Sequence, residues 1–535
     1  MSDQRNDPLP AELVDAVASK RVSRREFLSQ ATALGVSLTV AEGLLSRAAE
    51  AAVKKGGRLR VGVNDGSVSD SLDPATTNTM FMILQNHSVR SYLSEIGPDN
   101  ALVPELAESW ETSQDAATWH FKLRKGVEFH NGKTLDSRDV VDSIDFHRKE
   151  DSRSAAKALF AAVTEVKADG PDALTVELEA GNADFPYLFT DYHVNILPSD
   201  GEGQVDWQSG TGTGAYVMQE FEPGVRAFLT RNPNYWKADR GNFDEAELLA
   251  LTDQNARLNA LRTGEADVID QPDFKTVALM TKQPDIELDN VTGWAHVSMP
   301  MHMDTAPFDN PDVRLALKHA IDREDVVQRV FKGYGKVGND HPISPVIEYH
   351  AELEQRQYDP DRAKFHLKQA GLESLTVSLS SSEAGGAGTN DTAVLFAAQA
   401  GRAGITVDIV KEPSDGFWTE VWLKKPFCIM GWGGRPTADV MFTTAYAEAA
   451  PWNDSRFSHE RFNELLVAAR GEVDSALRAE MYREMQLILR DEGSAIIPVF
   501  RNLLYLRHAK VRHGPNLSAN WQFDGARAVE RWWFA

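Results

Sequence analysis

A strand–helix–strand pattern in the last third of the chain restricts the fold more than any other feature of the sequence. Apolar residues alternate with polar or small ones over residues 375–379 and again over 405–409, and a helix is predicted between them, over 391–403. A period of two residues is typical of a half-buried strand. Because two strands joined by a helix normally pair in parallel with a right-handed crossover, the pattern predicts an α/β fold.

Capping residues and periodicity extend this prediction to the neighbouring regions. Asn310-Pro311 and Asp359-Pro360 each place a capping residue before a proline, which is typical of a helix start. Strand-like alternation also occurs over residues 119–123 and 174–178. We therefore predict an α/β unit over residues 300–495 and a strand-rich region with short helices over 95–205.

Charge and cysteine content exclude several classes of partner and site. The chain has 535 residues and a formal charge of -23, which disfavours nucleic acids and anionic lipid surfaces as partners. Its single cysteine, Cys428, excludes an intramolecular disulfide and a cysteine-cluster metal site. We predict that Cys428 is a small buried side chain.

The first 51 residues have the features of an export signal. Arg24-Arg25 precedes a weakly apolar stretch, residues 31–46, and Ala49-Glu50-Ala51 has the small-x-small pattern of a cleavage site. The alternative is a helix of the folded domain with two chance arginines. We predict a twin-arginine signal peptide over residues 1–51, and because no later run of about 18 apolar residues follows, a mature protein free in the periplasm or outside the cell.

Catalytic and metal-binding motifs are hard to find. Nucleophile elbows and H-E-x-x-H patterns do not occur, and the carboxylate pairs Glu105/Glu108 and Asp142/Asp145 are predicted to lie on solvated faces. His296 and His302 lie six residues apart among methionines, which leaves an exported haem or metal-binding protein as an alternative. Since no further ligand is fixed by spacing, we predict no enzyme activity, no metal site and no cofactor.

Six phrases, taken together and in order, resemble a known family. They are Phe121–Ser143, Gly212–Tyr216, Asn232–Trp236, Leu261–Asp267, Phe308–Leu317 with Ala320–Arg323, and Tyr358–Ala363. The chain resembles the extracellular solute-binding proteins of ABC transporters, family 5, which is the peptide and nickel class. The resemblance covers most of the chain, from about residue 57 to 500.

The resemblance implies a two-lobed periplasmic-binding-protein fold of type II with an extra subdomain in the first lobe. The implied division is lobe I over 52–94, the extra subdomain over 95–205, lobe I again over 206–298, lobe II over 299–495, and a return to lobe I over 496–535. It also implies that a monomer captures a small solute, a peptide or an anionic organic compound, and hands it to an ABC permease in the inner membrane. A dipeptide or oligopeptide receptor is the alternative within the family.

The resemblance also suggests where the ligand lies. Trp432 matches a position whose indole lines the ligand cleft, and peptide-binding members carry an acidic residue three positions later. Here that residue is Arg435, and a second expected acid is replaced by Val68. An arginine fork suits a carboxylate or phosphate, whereas the alternative is an ion pair with Asp439 four residues on.

Tryptophans in this region, Trp418, Trp432 and Trp452, could stack on a ring or sugar face. The predicted ligand-binding residues are Asp65, Val68, Trp294, Trp418, Trp432, Gly433 and Arg435.

Overall fold

The structure is a computed structural model that describes residues 53–535 except Asp415, Ala449 and Pro451. The predicted signal peptide lies outside the described residues. The strands are β1 Arg58–Val63, β2 Ser94–Ile96, β3 Leu102–Pro104, β4 Ala107–Thr112, β5 Thr118–Leu123, β6 Val163–Ala168, β7 Ala173–Leu178, β8 Tyr216–Glu222, β9 Arg226–Arg231, β10 Glu245–Ala250, β11 Val268–Asp270, β12 Ile286–Met299, β13 Gly335–Val337, β14 Leu375–Ser381, β15 Ile405–Lys411, β16 Met430–Trp432, β17 Ile496–His508, β18 Val511–Arg512 and β19 Trp533–Phe534.

The α-helices follow the same chain order. They are α1 Met80–Val89, α2 Ser137–Arg148, α3 Gln254–Thr263, α4 Phe274–Met280, α5 Pro311–His319, α6 Arg323–Asp325, α7 Pro360–Gln369, α8 Thr389–Ala400, α9 Ala438–Ala445, α10 Glu460–Gly471, α11 Ser475–Asp491, α12 Gln522–Ala526 and α13 Ala528–Arg531. Short 3-10 segments are Pro74–Thr76, Ala155–Phe160, Phe185–Thr190, Glu383–Gly385 and Gly401–Ala403, and π turns are Val326–Val330 and Phe417–Val421.

One large sheet connects the two halves of the molecule. Its strand order is β16-β12-β17-β11-β1-β10-β9-β8, and β13 pairs with β17 at one end. The antiparallel strands β12 and β17, with 14 and 13 residues, pair from Ile286↔His508 to Met299↔Ile496. These two long strands cross from one lobe to the other. Below, the first lobe denotes residues 53–298 and 496–535, the second lobe denotes 299–495, and the exact boundaries stay a prediction.

The first lobe contains its own core and an additional sheet. In the core, β1 pairs in parallel with β10 and β11 and packs its apolar face against α1, which Thr79 caps at the N-terminus. The additional sheet has the order β4-β5-β7-β6 and a separate core with α2. This sheet confirms the strands predicted over residues 119–123 and 174–178.

The second lobe confirms the strand–helix–strand prediction. Strands β14 and β15 pair in parallel over their full length, and α8 packs against them. The predicted helix starts are also confirmed, because the side chains of Asn310 and Asp359 accept hydrogen bonds from backbone N–H groups in the first turns of α5 and α7. Cys428 is buried as predicted, and burial raises the pKa of its thiol.

Two carboxylates predicted to be solvated are buried instead. Glu105 has no exposed surface and forms an ion pair with Arg527, and Asp142 is buried and accepts a hydrogen bond from Ser199. The prediction for these two residues was therefore wrong. Their partners are distant in sequence, so spacing within a segment could not reveal them.

Candidate functional site

A cavity of about 630 Å³ lies between the two lobes. The first lobe contributes Gln254 and Arg257 of α3 and residues 271–275, and the second contributes residues 383–391 in part. The crossing strands form its floor, with Ala295 of β12 and residues 501–504 of β17. Its volume is in the range of pockets that bind small molecules, and its position between the lobes allows their closure to enclose a ligand.

A cluster of four tryptophans lies in the second lobe. Trp422 contacts Trp418, Trp432 and Trp452, with ring centroids 5.6 to 5.9 Å apart, and the arrangement is edge-to-face. Buried Asp454 accepts hydrogen bonds from the indole N–H groups of Trp422 and Trp432, at 3.2 and 2.9 Å. Burial raises the pKa of Asp454 to about 6. Trp418 and Trp452 are 45% and 42% exposed, which leaves apolar ring surface for a ligand.

Arg435 packs against this cluster. Its guanidinium lies 5.7 Å from the ring centroids of both Trp432 and Trp452, and it donates hydrogen bonds to the carbonyls of Gly433 and Gly434 at 3.2 and 3.0 Å. Burial lowers the pKa of Arg435, and interactions with Tyr192 and Asp191 in the first lobe oppose that shift. Arg435 therefore lies within electrostatic range of the first lobe.

The alternative ion pair between Arg435 and Asp439 is wrong. Asp439 forms its ion pair with Arg470, at 3.2 Å. Because α9 begins at Ala438, Arg435 precedes the helix, and the four-residue spacing does not place the two side chains on one helical face.

The other predicted residues lie in three different settings. Trp294 is buried against Gly434, where a Cβ would come within 2.0 Å of the Trp294 Cβ, so the loop before Arg435 requires glycine there. Asp65 accepts a hydrogen bond from the Phe81 N–H at the start of α1, at 3.2 Å. Val68 is 91% exposed.

The structure thus brings together Trp294, Trp418, Trp432, Gly433 and Arg435, and it places Asp65 and Val68 elsewhere. Within the part of the chain that the structure describes, none of the seven predicted residues lines the interlobe cavity.

Sequence reasoning missed the residues that line the cavity, although two signals were present. Arg501 and Asn502 interrupt an apolar run over residues 496–506, and Gly385, Gly386 and Gly388 follow the end of a predicted strand. A charged residue inside an apolar strand indicates a site that a polar partner must satisfy. Closely spaced glycines indicate a backbone that another group approaches closely.

Direct contacts join the extra subdomain to the second lobe. Arg478 of α11 forms an ion pair with Asp184 at 2.7 Å, and both side chains are almost fully buried. Tyr187 donates a hydrogen bond to Glu348 at 3.0 Å, and the Ala183 N–H donates to the Arg470 carbonyl at 2.8 Å. These contacts hold the two lobes together on one side of the cleft.

The histidines considered as metal ligands do not form a cluster. His296 is fully buried, and burial, together with the positive charges of Arg501 and Arg435, lowers its pKa to about 3. In residues 53–535, apart from Asp415, Ala449 and Pro451, no group of three or more His, Cys, Asp or Glu side chains could hold a metal ion. Over the same residues, no helix has both the length and the apolar character needed to cross a bilayer.

A family model matches most of the chain. The model describes the bacterial extracellular solute-binding proteins, family 5, and it matches residues 101–454. The chain belongs to this family. The match confirms the resemblance that the six sequence phrases of this solute-binding protein indicated.

Relatives of the solute-binding protein are named for different ligands. It is 25% identical to the dipeptide-binding protein of Escherichia coli K12, over 74% of this chain and 80% of the relative. It is also 25% identical to haem-binding protein A of Haemophilus influenzae, over 73% of this chain and 77% of the relative. The solved structure of AgaA from A. tumefaciens R10 in complex with agropinic acid is 22% identical, with a TM-score of 0.71, over 90% of this chain and 99% of that chain. This structural similarity confirms the two-lobed fold.

Proposed function

We propose that the protein is the periplasmic receptor of an ABC importer, which captures a small solute with an anionic group between its lobes and delivers it to the permease. The observation that carries the proposal is the interlobe cavity of about 630 Å³, lined by both lobes and by the strands that cross between them. A ligand in this position contacts both lobes only when they are closed. Binding therefore favours the closed form, which a permease can distinguish from the open form.

Arg435 does not line that cavity, but its charge and that of Arg501 on the cavity floor both lower the pKa of His296 in β12, so the two cations lie near the same strand. Arg435 supports an anionic solute that extends from the cavity toward the tryptophan cluster. It is a partly buried cation, and within the described residues it forms no ion pair with a carboxylate; its hydrogen bonds go to two carbonyls of its own loop. A guanidinium in a partly dehydrated cleft binds a carboxylate or phosphate through two parallel hydrogen bonds. The exposed rings of Trp418 and Trp452 offer stacking surface beside it.

A peptide receptor is the second candidate. The dipeptide-binding protein of E. coli is among the relatives, and the cavity contains the carboxylates of Glu383 and Asp391, which could bind a ligand ammonium group. Arg435 replaces the acid that the resemblance places near a peptide's amino group, and this favours the anionic solute.

The identity of the solute is tested by releasing small molecules from the purified protein and analysing them by mass spectrometry. The recovered solute should be chemically unchanged and should raise the melting temperature when added back, because a ligand at about 100 times its Kd stabilises the native state by about 2.7 kcal/mol. Conversion of the solute by the protein would contradict a receptor function. A coloured protein that releases haem would favour the haem-binding alternative.

We further propose export by the twin-arginine route to the periplasm, where the protein acts as a monomer. Replacing both Arg24 and Arg25 by lysine should retain the precursor in the cytoplasm, because the export motif is read through this arginine pair. Cell fractionation and immunoblotting measure the distribution of precursor and mature forms. The control is Arg21→Lys, outside the pair, which should be exported normally. Normal processing of the double variant would refute this route.

A further inference from the structure

Arg501 occupies an unusual position on the floor of the interlobe cavity. It lies in β17, the strand that crosses between the lobes, and its guanidinium lies beside the backbone of Gly386 and Gly431. A Cβ on these glycines would lie 3.5 Å from Nη1 and 3.2 Å from Nη2 of Arg501. Glycine at both positions therefore lets the guanidinium pack closely against the second lobe while it lines the cavity.

The charge of Arg501 has no counterpart among the described residues. No carboxylate forms an ion pair with it in that part of the chain, and its Nε atom is buried without a hydrogen-bond partner. Burial alone lowers the pKa of Arg501. Arg478, in contrast, is more deeply buried and forms an ion pair with Asp184. Arg501 is half-buried, and because desolvating an unpaired charge is costly, an anionic group from outside the protein would stabilise it.

The other charged groups of the cavity already have partners or lie in solvent. Asp273 accepts a hydrogen bond from the Lys275 N–H at 2.6 Å, and Glu383 accepts one from Asn390 at 2.7 Å. Arg257 donates to the carbonyls of its own segment, at 2.7 Å to Leu251, and lies 3.9 Å from Asp270. Lys275 and Asp391 are exposed. Among the described residues that line this cavity, Arg501 is thus the half-buried cation without an ion-pair partner.

We propose that Arg501 binds an acidic group of the solute, a carboxylate or a phosphate, at the floor of the cavity. This assignment rests on the proposed receptor function and specifies the ligand class that it accepts. The solute supplies the missing negative charge, and the planar guanidinium fork orients that group by two hydrogen bonds. Because Arg501 lies on a strand common to both lobes, the acidic group is held where the closing lobes meet.

The first test needs no ligand. Replacing Arg501 by methionine removes a half-buried unpaired charge while keeping an unbranched apolar side chain, so the melting temperature of the empty protein should rise by a few degrees. The matched control is Arg478→Met, which breaks a buried ion pair and should lower the melting temperature. A lower melting temperature for Arg501→Met would show that Arg501 stabilises the fold, and it would overturn the assignment.

The second test measures binding with defined probes. We would titrate the protein, freed of solute by unfolding and refolding, with glutarate, citrate, glucuronate, alanyl-alanine and inorganic phosphate, and with the neutral amide of each carboxylate. A carboxylate or phosphate should bind more tightly than its neutral counterpart, and Arg501→Gln should weaken that binding at least about thirtyfold. Arg501→Lys should recover part of the affinity, since it restores the charge without the fork.

The outcomes separate this assignment from the receptor function. Equal binding of an acid and its amide, or equal affinity in Arg501→Gln, would overturn the role of Arg501. If a neutral solute binds and compacts the protein, the receptor function stands and the role of Arg501 fails. If an acid binds through Arg501 without any compaction of the protein, the role of Arg501 stands and the receptor function fails.

Discussion

Replacing Arg435 by alanine is expected to weaken binding of the released solute by roughly thirtyfold or more. Arg435 is partly buried, packs on Trp432 and Trp452, and lacks a carboxylate partner within the described residues. Removing one member of a desolvated charged pair costs about 2–5 kcal/mol, and each 1.4 kcal/mol changes affinity tenfold. Isothermal titration calorimetry with the solute identified by mass spectrometry measures the change.

Two further variants make this result specific. Arg435→Lys should recover only part of the affinity, because a point charge replaces a bidentate fork. Arg402→Ala, an exposed arginine of the same lobe, should bind as tightly as the wild type. If Arg435 only fastens its own loop through the carbonyls of Gly433 and Gly434, the alanine variant would melt at a lower temperature and keep its affinity. Unchanged affinity would therefore refute the anion contact.

Replacing Arg527 by methionine is expected to lower the free energy of unfolding by about 3–5 kcal/mol, the cost of breaking a buried ion pair. Arg527 is buried near the C-terminus and contacts both carboxylate oxygens of Glu105, at 2.9 and 2.6 Å, and Glu530 at 2.8 Å. Its removal leaves these carboxylates buried with one counter-charge fewer. Chemical denaturation measures the difference. Arg226→Met removes an exposed ion pair and should change stability far less.

The pH dependence of Arg527→Met has a definite sign. Although burial raises the pKa of Glu95, the charges of Arg527 and Lys237 lower it well below its usual value of 4.5, and the same holds for Glu530 with Lys237 and Arg240. Groups with a lowered pKa stabilise the fold above their unfolded pKa and lose this contribution as pH falls through the folded pKa. The destabilisation should therefore be full at pH 7 and shrink below about pH 4.5. A small loss in the free energy of unfolding of Arg527→Met at pH 7 would contradict this role of Arg527.

Local patterns predicted the secondary structure well where burial follows sequence period. The alternation over residues 375–379 and 405–409 predicted the parallel pair β14 and β15, since each strand has one buried face. The six phrases predicted the family and hence the two lobes. Strand β17, Ile496–His508, begins where the return to the first lobe was predicted and continues across into that lobe as the partner of β12.

Side-chain partners that are distant in sequence could not be predicted. Glu105 is buried because Arg527, more than 400 residues later, neutralises it. The charge of Arg435 and its spacing to Asp439 suggested an ion pair. Such a pair would need both residues on one helix, but α9 begins at Ala438, three residues after Arg435. The position of Arg501 within an apolar run marks it as unusual, but its role could not be predicted because its segment does not show that β12, β16 and the Gly385–Gly388 turn converge on it. Such convergence is a property of the tertiary fold.

We expect the two lobes to close on a small solute without changing it chemically. Small-angle X-ray scattering of the protein, freed of solute and then titrated with the solute recovered from it, measures this closure directly. We expect a smaller radius of gyration at saturation, a midpoint that agrees with the calorimetric Kd, and full recovery of the unchanged solute. A radius of gyration that stays constant while calorimetry shows saturation would contradict this closure.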